Sequence, residues 1–346
     1  MKNDSIENRK RRWGEFYTPS SRFRSLFKVG YTEYPPRPQP HSYLVQQRIE
    51  WAWTRYQELV EQGSWLHDDT VPFLDVYTGT EIFAEAFGCR VHEAKDQMPF
   101  ATPLIDDAGD VAGLKIPDLS SPPLKRLFTI ADALRSRAGE DAVVRLPDIQ
   151  SPMDICALIW RKDSFFVALV DNPAAVHELA DKVMALLTAF LDKWFGRYGT
   201  DFIAHYPTYY VPHGVTLSED EIGAISSSMC AEHFLPELSA LSERYGRIGI
   251  HCCADARHQW RNIERIPNLM LLNLGQPNDV LQEAYPYFSN HTTQMHRWCG
   301  DGDLAERLPL FPKTGRIVYR LTAETREEAE GWSSQIEKDR QASVLN

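Results

Sequence analysis

A (β/α)8 TIM-type barrel carrying an N-terminal helical and irregular extension is the fold class this sequence predicts, and three observations predict it. Short β-prone runs alternate with helical stretches over most of the chain, the pattern of a parallel sheet. The length of 346 residues exceeds one small core and suits a barrel of about 250 residues with insertions. No predicted strand runs into G-x-G-x-x-G or a Walker lysine, so open sheets built for a dinucleotide or a nucleoside triphosphate have no support. Residues 1–65 form an arm and a helix packed on the barrel in this reading, and residues 66–346 form the barrel itself.

The elements follow in chain order. The first forty residues, ending in the proline-rich run from Tyr34 to Pro40, read as an arm or cap rather than a core element. Ser42 can cap a helix whose apolar residues recur at Val45, Ile49, Trp53, Tyr56 and Val60, with Gly63 as the stop. Val71 to Tyr77 is a short apolar run with Asp75 near its end, followed by a helix from Glu81 to Phe87 that Gly88 closes. Residues 100–120 read as a hairpin excursion and 124–138 as an amphipathic helix. Strands are predicted at Ala142 to Leu146, Asp201 to His205, Arg247 to His251 and Leu269 to Asn273, then at Thr293 to Trp298 and Arg316 to Leu321. Helices fall between them, the longest over 173–196 after the cap and proline of Asp171-Asn172-Pro173. An aromatic loop spans Tyr206 to Gly214, residues 218–224 and 227–244 read as helical, and a helix from Thr325 to Lys338 ends the pattern.

Composition narrows the function. The formal net charge is −11, from 48 Asp and Glu against 37 Lys and Arg, which opposes a nucleic-acid binder. The one basic cluster, Arg9-Lys10-Arg11-Arg12, reads as a solvated helix start. No stretch of about 18 apolar residues is present, so no membrane span is expected, and the polar residues 1–13 point to a cytoplasmic location. Six cysteines do not make a disulfide framework at this size, and Cys89, Cys156 and Cys230 read as small buried hydrophobes.

A barrel gathers chemistry at the C-terminal ends of its strands. Asp75, Asp148, His205, His251 with Cys253, Asn273 with Gln276, and Cys299 all follow predicted strands. His251 and Cys253 are two apart at a strand end, so they point the same way, and an imidazole with a thiolate can reach one zinc. A catalytic zinc needs three protein ligands; Cys299 is the best third, while Cys252 faces the other side. The spacing leaves open a buried histidine packed with two cysteines. Asp75 and Asp148 are candidate catalytic acid/base or orienting groups, or else helix caps. Tyr209, Tyr210 and His213 of the aromatic loop, with His205, Asn273 and Gln276, are the candidate substrate-binding residues; aromatic packing over the barrel end explains the loop equally.

Several segments, in this order, resemble the uroporphyrinogen decarboxylase superfamily. The stretch Gly79 to Gly88 is similar to its early helix, Pro152 to Lys182 to its central helical stretch, and Ser218 to Pro236 to the helix that follows. Ile248-Gly249-Ile250-His251-Cys252-Cys253 sits where the methyltransferase branch carries its His-x-Cys. The arginine-rich N-terminal motif of the true decarboxylases has no counterpart, since the region offers only Arg22-Phe23-Arg24. The resemblance therefore implies a methyltransferase with zinc on His251, Cys253 and a later cysteine, acting on a small-molecule substrate with a methyl group from a corrinoid partner protein or a methylated small molecule. The sequence departs from that branch at Ala254, where the family has glycine, and in the final strand, which lacks a cysteine and leaves Cys299 one strand early. Two other readings stay open: a metal-free decarboxylase or lyase that holds carboxylates with Asp75, tyrosines and an arginine, and a non-catalytic corrinoid- or tetrapyrrole-binding protein. The arm is also a candidate to cover a neighbouring subunit of a homodimer.

Overall fold

The N-terminal helix α1 (Ile6–Phe16) starts on a Ser5 cap, whose hydroxyl accepts the Asn8 N–H at 3.3 Å. The structure, a computed structural model, describes residues 5–18, 25–31, 35–288, 293–294 and 316–344. The basic cluster on α1 is not a solvated face. Arg9 is 1% exposed and Arg12 7%, because both reach two carboxylates with no exposure at all, Asp68 and Asp69. Arg12 Nε donates to Asp69 at 2.6 Å, and Arg9 donates to the Leu66 carbonyl at 2.7 Å and the Thr70 carbonyl at 2.9 Å, with Asp68 at 3.5 Å. Sequence periodicity cannot see this, since the partners lie more than fifty residues away.

Part of the predicted arm is likewise a core element. Strand β1 (Ser25–Tyr31) pairs in parallel with the last strand, β12 (Ile317–Ala323), from Ser25 opposite Ile317 to Tyr31 opposite Ala323. Lys28 and Gly30 break its apolar run, which hides it from a pattern reading. The other strands are β2 (Phe73–Leu74), the antiparallel hairpin β3 (Arg90–His92) and β4 (Phe100–Thr102), β5 (Val143–Arg145), β6 (Phe202–Ile203), β7 (Tyr210–Val211), β8 (Val215–Ser218), β9 (Ile248–Cys252), β10 (Leu269–Leu274) and β11 (Thr293–Gln294). The helices between them are α2 (Val45–Gln62), α3 (Ile82–Phe87), α4 (Pro122–Ala138), α5 (Pro152–Ile159), α6 (Lys162–Asp171) and α7 (Pro173–Tyr198). After β8 come α8 (Ser227–Met229), α9 (Leu235–Tyr245), α10 (Trp260–Ile263), α11 (Asn278–Phe288) and α12 (Arg326–Val344). Ser42 does not cap α2; its N–H and hydroxyl both donate to Glu93.

The fold is α/β with parallel strands in three sets. One holds β2, β5 and β6 with β7 as an antiparallel edge, a second runs β8, β9, β10, β11, and the third is β1 with β12. Backbone bonds join the sets: the Asp69 N–H donates to the Phe27 carbonyl of β1 at 2.7 Å, and Ser218 of β8 exchanges bonds of 2.8 and 2.7 Å with Ile149 and Ser151 beyond β5. Strand β8 falls in the short stretch between the aromatic loop and the predicted helix, overlapping the helix only at Ser218, since four residues give too short a run to stand out. Cys89, Cys156, Cys230 and Cys252 are buried as small core residues.

Arg12→Ala leaves Asp69 buried without its cation, and a loss of about 3–5 kcal/mol is expected. Arg11→Ala, which removes only the exposed pair with Glu15, should cost about 0.3–0.5 kcal/mol. Urea unfolding of the two variants side by side checks the difference.

Candidate functional site

The C-terminal ends of the parallel strands carry most of the chemistry. Asp75 and Tyr77 follow β2, Arg145 ends β5 with Asp148 beyond it, and His205 and Tyr206 follow β6. Asp220 follows β8, His251 lies in β9 with Cys253 just past it, and Asn273 lies in β10 with Gly275 and Gln276 beyond.

These side chains form two groups. In the first, Asp75 pairs with Arg145 at 2.9 Å and with Arg37 at 3.4 Å. Burial pushes the Asp75 carboxyl up, but the two guanidiniums outweigh it and hold the group below its ordinary value. The Arg37 guanidinium lies 3.3 Å from the centroid of the Tyr77 ring, and Tyr77 stacks on His205 at 5.6 Å. His205 Nε2 meets Asp148 at 3.1 Å, and Gln150 donates to the other Asp148 oxygen at 2.7 Å. Burial lowers the His205 pKa, with Asp148 opposing it; the same His205 and Gln150 contacts hold Asp148 ionised despite its burial. Asp75 and Asp148 thus stand as paired carboxylates rather than proton donors.

The second group surrounds His251. Its Nδ1 lies 2.6 Å from the Asn273 side-chain oxygen, which fixes the hydrogen on Nδ1 and leaves Nε2 with a lone pair. The Tyr206 ring packs edge-on against the imidazole at 4.5 Å. Cys253 donates twice to Asp220, from its N–H at 2.6 Å and its thiol at 3.0 Å. Burial and then the Asp220 carboxylate push this thiol up to about 12. The turn holding Asp220 is fixed in its own right, because Asp154 of α5 accepts the N–H groups of Asp220 and Glu221 at 2.8 and 3.0 Å. Gln276 donates to the Cys253 and Ala254 carbonyls at 3.0 and 2.6 Å. A Cβ on Gly275, just past β10, would stand 3.1 Å from the Cys253 Cα and Cβ, so a side chain there would push Cys253 aside by a few tenths of an ångström.

His251, Cys253, Asn273 and Gln276 line one cleft of about 410 Å³. A second cavity of about 350 Å³ adjoins it, sharing Tyr206 and Asn273, and reaches inward past Asp75, Arg145 and Lys28. Burial lowers the Lys28 pKa to about 7, with Arg320, Arg145 and Arg55 pushing the same way against Asp68.

The structure thus brings His251, Cys253, Asn273 and Gln276 together, with Asp75, Asp148 and His205 in the neighbouring network. Tyr209 lines the inner cavity. Tyr210 turns away, its hydroxyl donating to Asp201 at 3.1 Å beside α1. His213 is exposed just ahead of β8, at the opposite strand end from His251, which pairs with Ser218. Cys299 lies outside the described residues. Sequence reading missed Arg37, Arg145, Lys28, Tyr206 and Asp220. A cation closing the apolar run Val143-Val144-Arg145 was the available signal for one; Asp220 was hidden once β8 went unseen.

Among the described residues, no group of three or more His, Cys, Asp or Glu side chains is placed to hold a metal ion. No helix among them is long and apolar enough to cross a membrane. The sequence model of the family described as uroporphyrinogen decarboxylase matches residues 67–293. A solved methyltransferase from Methanosarcina mazei shares the fold at a TM-score of 0.67 and 9% identity, over 97% of this chain and 99% of that one. The homocysteine methyltransferase MmuM from Escherichia coli, in its metallated form, aligns over 91% of this chain and 97% of its own, at a TM-score of 0.35 and 11% identity, too weakly to carry an argument. No curated protein matches the sequence.

Two outcomes follow. Gly275→Ala forces Cys253 to shift by a few tenths of an ångström and should slow alkylation of this one exposed thiol among the described cysteines, read by mass spectrometry. Folded Lys28 gives up its proton above about 7, whereas the unfolded lysine keeps it to about 10.4. The unfolded state therefore binds more protons in that window, and wild-type stability should rise there with pH relative to Lys28→Met. Unfolding midpoints at pH 7 and pH 9.5 measure the slope.

Proposed function

This chain belongs to the uroporphyrinogen decarboxylase family, and we propose that it is a methyltransferase acting on a small molecule. His251 and Cys253 are the zinc donors in this reading, and the methyl source is a corrinoid on a partner protein or a methylated small molecule. The parallel strand sets are read as arcs of one (β/α)8 barrel, with the reaction at its C-terminal mouth.

One observation carries the proposal: His251 and Cys253 line the same cleft, and Asn273 holds the imidazole in the tautomer that keeps Nε2 available. An imidazole and a thiol are two of the three donors a catalytic zinc takes, and the third in this reading, Cys299, lies outside the described residues. Zinc, when bound, supplies a Lewis acid that keeps sulfur ligands deprotonated at neutral pH. The chain does the rest. Asp220 accepts the hydrogen bonds of the Cys253 thiol and N–H and so holds the sulfur in place at the cleft. Gln276 pins the loop that carries the sulfur, and the Tyr206 ring shields one side of the imidazole from water. Asp75 and Asp148 act by orientation, one on Arg145 and Arg37, the other on His205.

A second reading, a metal-free carboxy-lyase, is favoured by the arginines gathered at Asp75, which suit a carboxylate substrate. Elemental analysis separates the two. Protein purified without chelator should carry about one zinc per chain, lost in both His251→Ala and Cys253→Ala. Turnover that survives chelation and Cys253→Ala would instead select the lyase.

A further inference from the structure

We propose that the inner cavity is an anion site for a small organic diacid, seated so that its far end faces His251 and Cys253. The proposal deepens the reading above by naming the substrate class of that same site, and it rests on that reading for the role of the far end.

Charge is the first argument. The chain carries a net −11, yet six basic side chains line this one cavity of about 350 Å³ against two carboxylates. Those two are already engaged, Asp75 by Arg145 and Arg37, and Asp68 by Arg9 and the N–H groups of Val29 and Thr70. Lys28 of β1 and Arg320 of β12 stand in register as neighbours, and Arg55 joins them from α2. Cations gathered in a partly closed space repel one another; burial first, and then Arg320, Arg145 and Arg55, lower the Lys28 pKa against Asp68. The Arg145 side chain is 4% exposed, and its Nε is buried without a partner in the cavity wall. Six cations against two carboxylates leave four positive charges, of which a doubly charged ligand offsets half and a singly charged one a quarter.

Shape and lining give the second argument. The volume sits at the small end of ligand sites, which run to about 300–1,000 Å³, and suits a small acid rather than a tetrapyrrole. Trp51, Leu59, Leu66 and Phe73 supply an apolar wall, which favours a carbon skeleton over a bare inorganic anion. Guanidinium forks and a lysine point charge together match carboxylate ends. Tyr206 and Asn273 belong to both spaces, so a ligand anchored here reaches the cleft of His251 and Cys253 without leaving the protein.

Titration calorimetry at pH 6.5 with succinate, propionate and inorganic phosphate tests the proposal on wild type, Lys28→Met, Arg320→Gln and Arg11→Ala. Succinate should bind at least about tenfold more tightly than propionate, and each cation variant should weaken it by about tenfold. Arg11→Ala, on the exposed face of α1 and away from the cavity lining, should bind succinate like wild type. The melting temperature of Lys28→Met without ligand should equal or exceed that of wild type, which separates lost binding from lost folding; Arg320→Gln, at an exposed position, gives the second check. Equal binding of succinate and propionate, unchanged affinity in both cation variants, or no binding to wild type overturns the diacid site. Phosphate binding more tightly than succinate overturns the organic-acid assignment. Protein that carries zinc but ignores succinate refutes this inference and leaves the methyltransferase standing, whereas succinate binding without zinc refutes that reading and supports this one.

Discussion

Two adjacent carboxylates with no exposure, Asp68 and Asp69, hold the rest of the architecture in place. Each bridges a helix and a strand. Asp69 takes Arg12 of α1 on one oxygen and the Phe27 N–H of β1 on the other, at 2.6 and 2.8 Å. Asp68 accepts the Val29 N–H at 2.9 Å and faces Arg9. The pair therefore docks α1 and positions β1 in one act, and β1 brings Lys28 to the inner cavity. A buried ion pair is poor value as stabilisation alone, because desolvating both charges costs nearly as much as their attraction returns. Its worth here is geometric: one register of β1 satisfies both carboxylates, and a slip by one residue would turn Lys28 away from the cavity.

The two adjoining spaces divide the chemistry between them. The inner one is hard and cationic, built from guanidiniums and a lysine; the outer one offers an imidazole and a thiol, softer donors fixed by neutral amides and a carboxylate. Tyr206 and Asn273 form the wall they share, and Asn273 also sets the His251 tautomer. A change at Asn273 is therefore felt on both sides, which makes it the residue through which anion and donor chemistry would communicate.

Much of this was legible in the sequence, for reasons of period. The heptad-like recurrence from Val45 to Val60 gave α2, and the apolar runs at β9, β10 and β12 stood out between turn signals. The period of two along a strand placed His251 and Cys253 on one side, and they do line one cleft. What escaped was non-local. Arg9 and Arg12 look like surface charges until Asp68 and Asp69 are folded against them. Strand β1 carries Lys28 and Gly30 in its short run, and β8 is four residues long, so neither has a pattern of its own. Without β8, Asp220 had no strand end to belong to, and its hold on Cys253 was invisible. Tyr210 and His213 line neither the cleft nor the inner cavity, because β7 and the approach to β8 reverse the direction in which the aromatic loop runs.

The parallel pairing of β1 with β12 has a bearing on biosynthesis. Strand β1 leaves the ribosome well before its partner, Ile317–Ala323, which lies almost three hundred residues further along. Until then the edge of β1 that β12 will cover stays open, and an open parallel edge is a template for wrong partners. The Asp68–Asp69 clamp draws only on residues within the first seventy, so seating β1 does not require its mate. A nascent chain stalled before β12 would hold every residue of the clamp while that edge of β1 still lacked its mate.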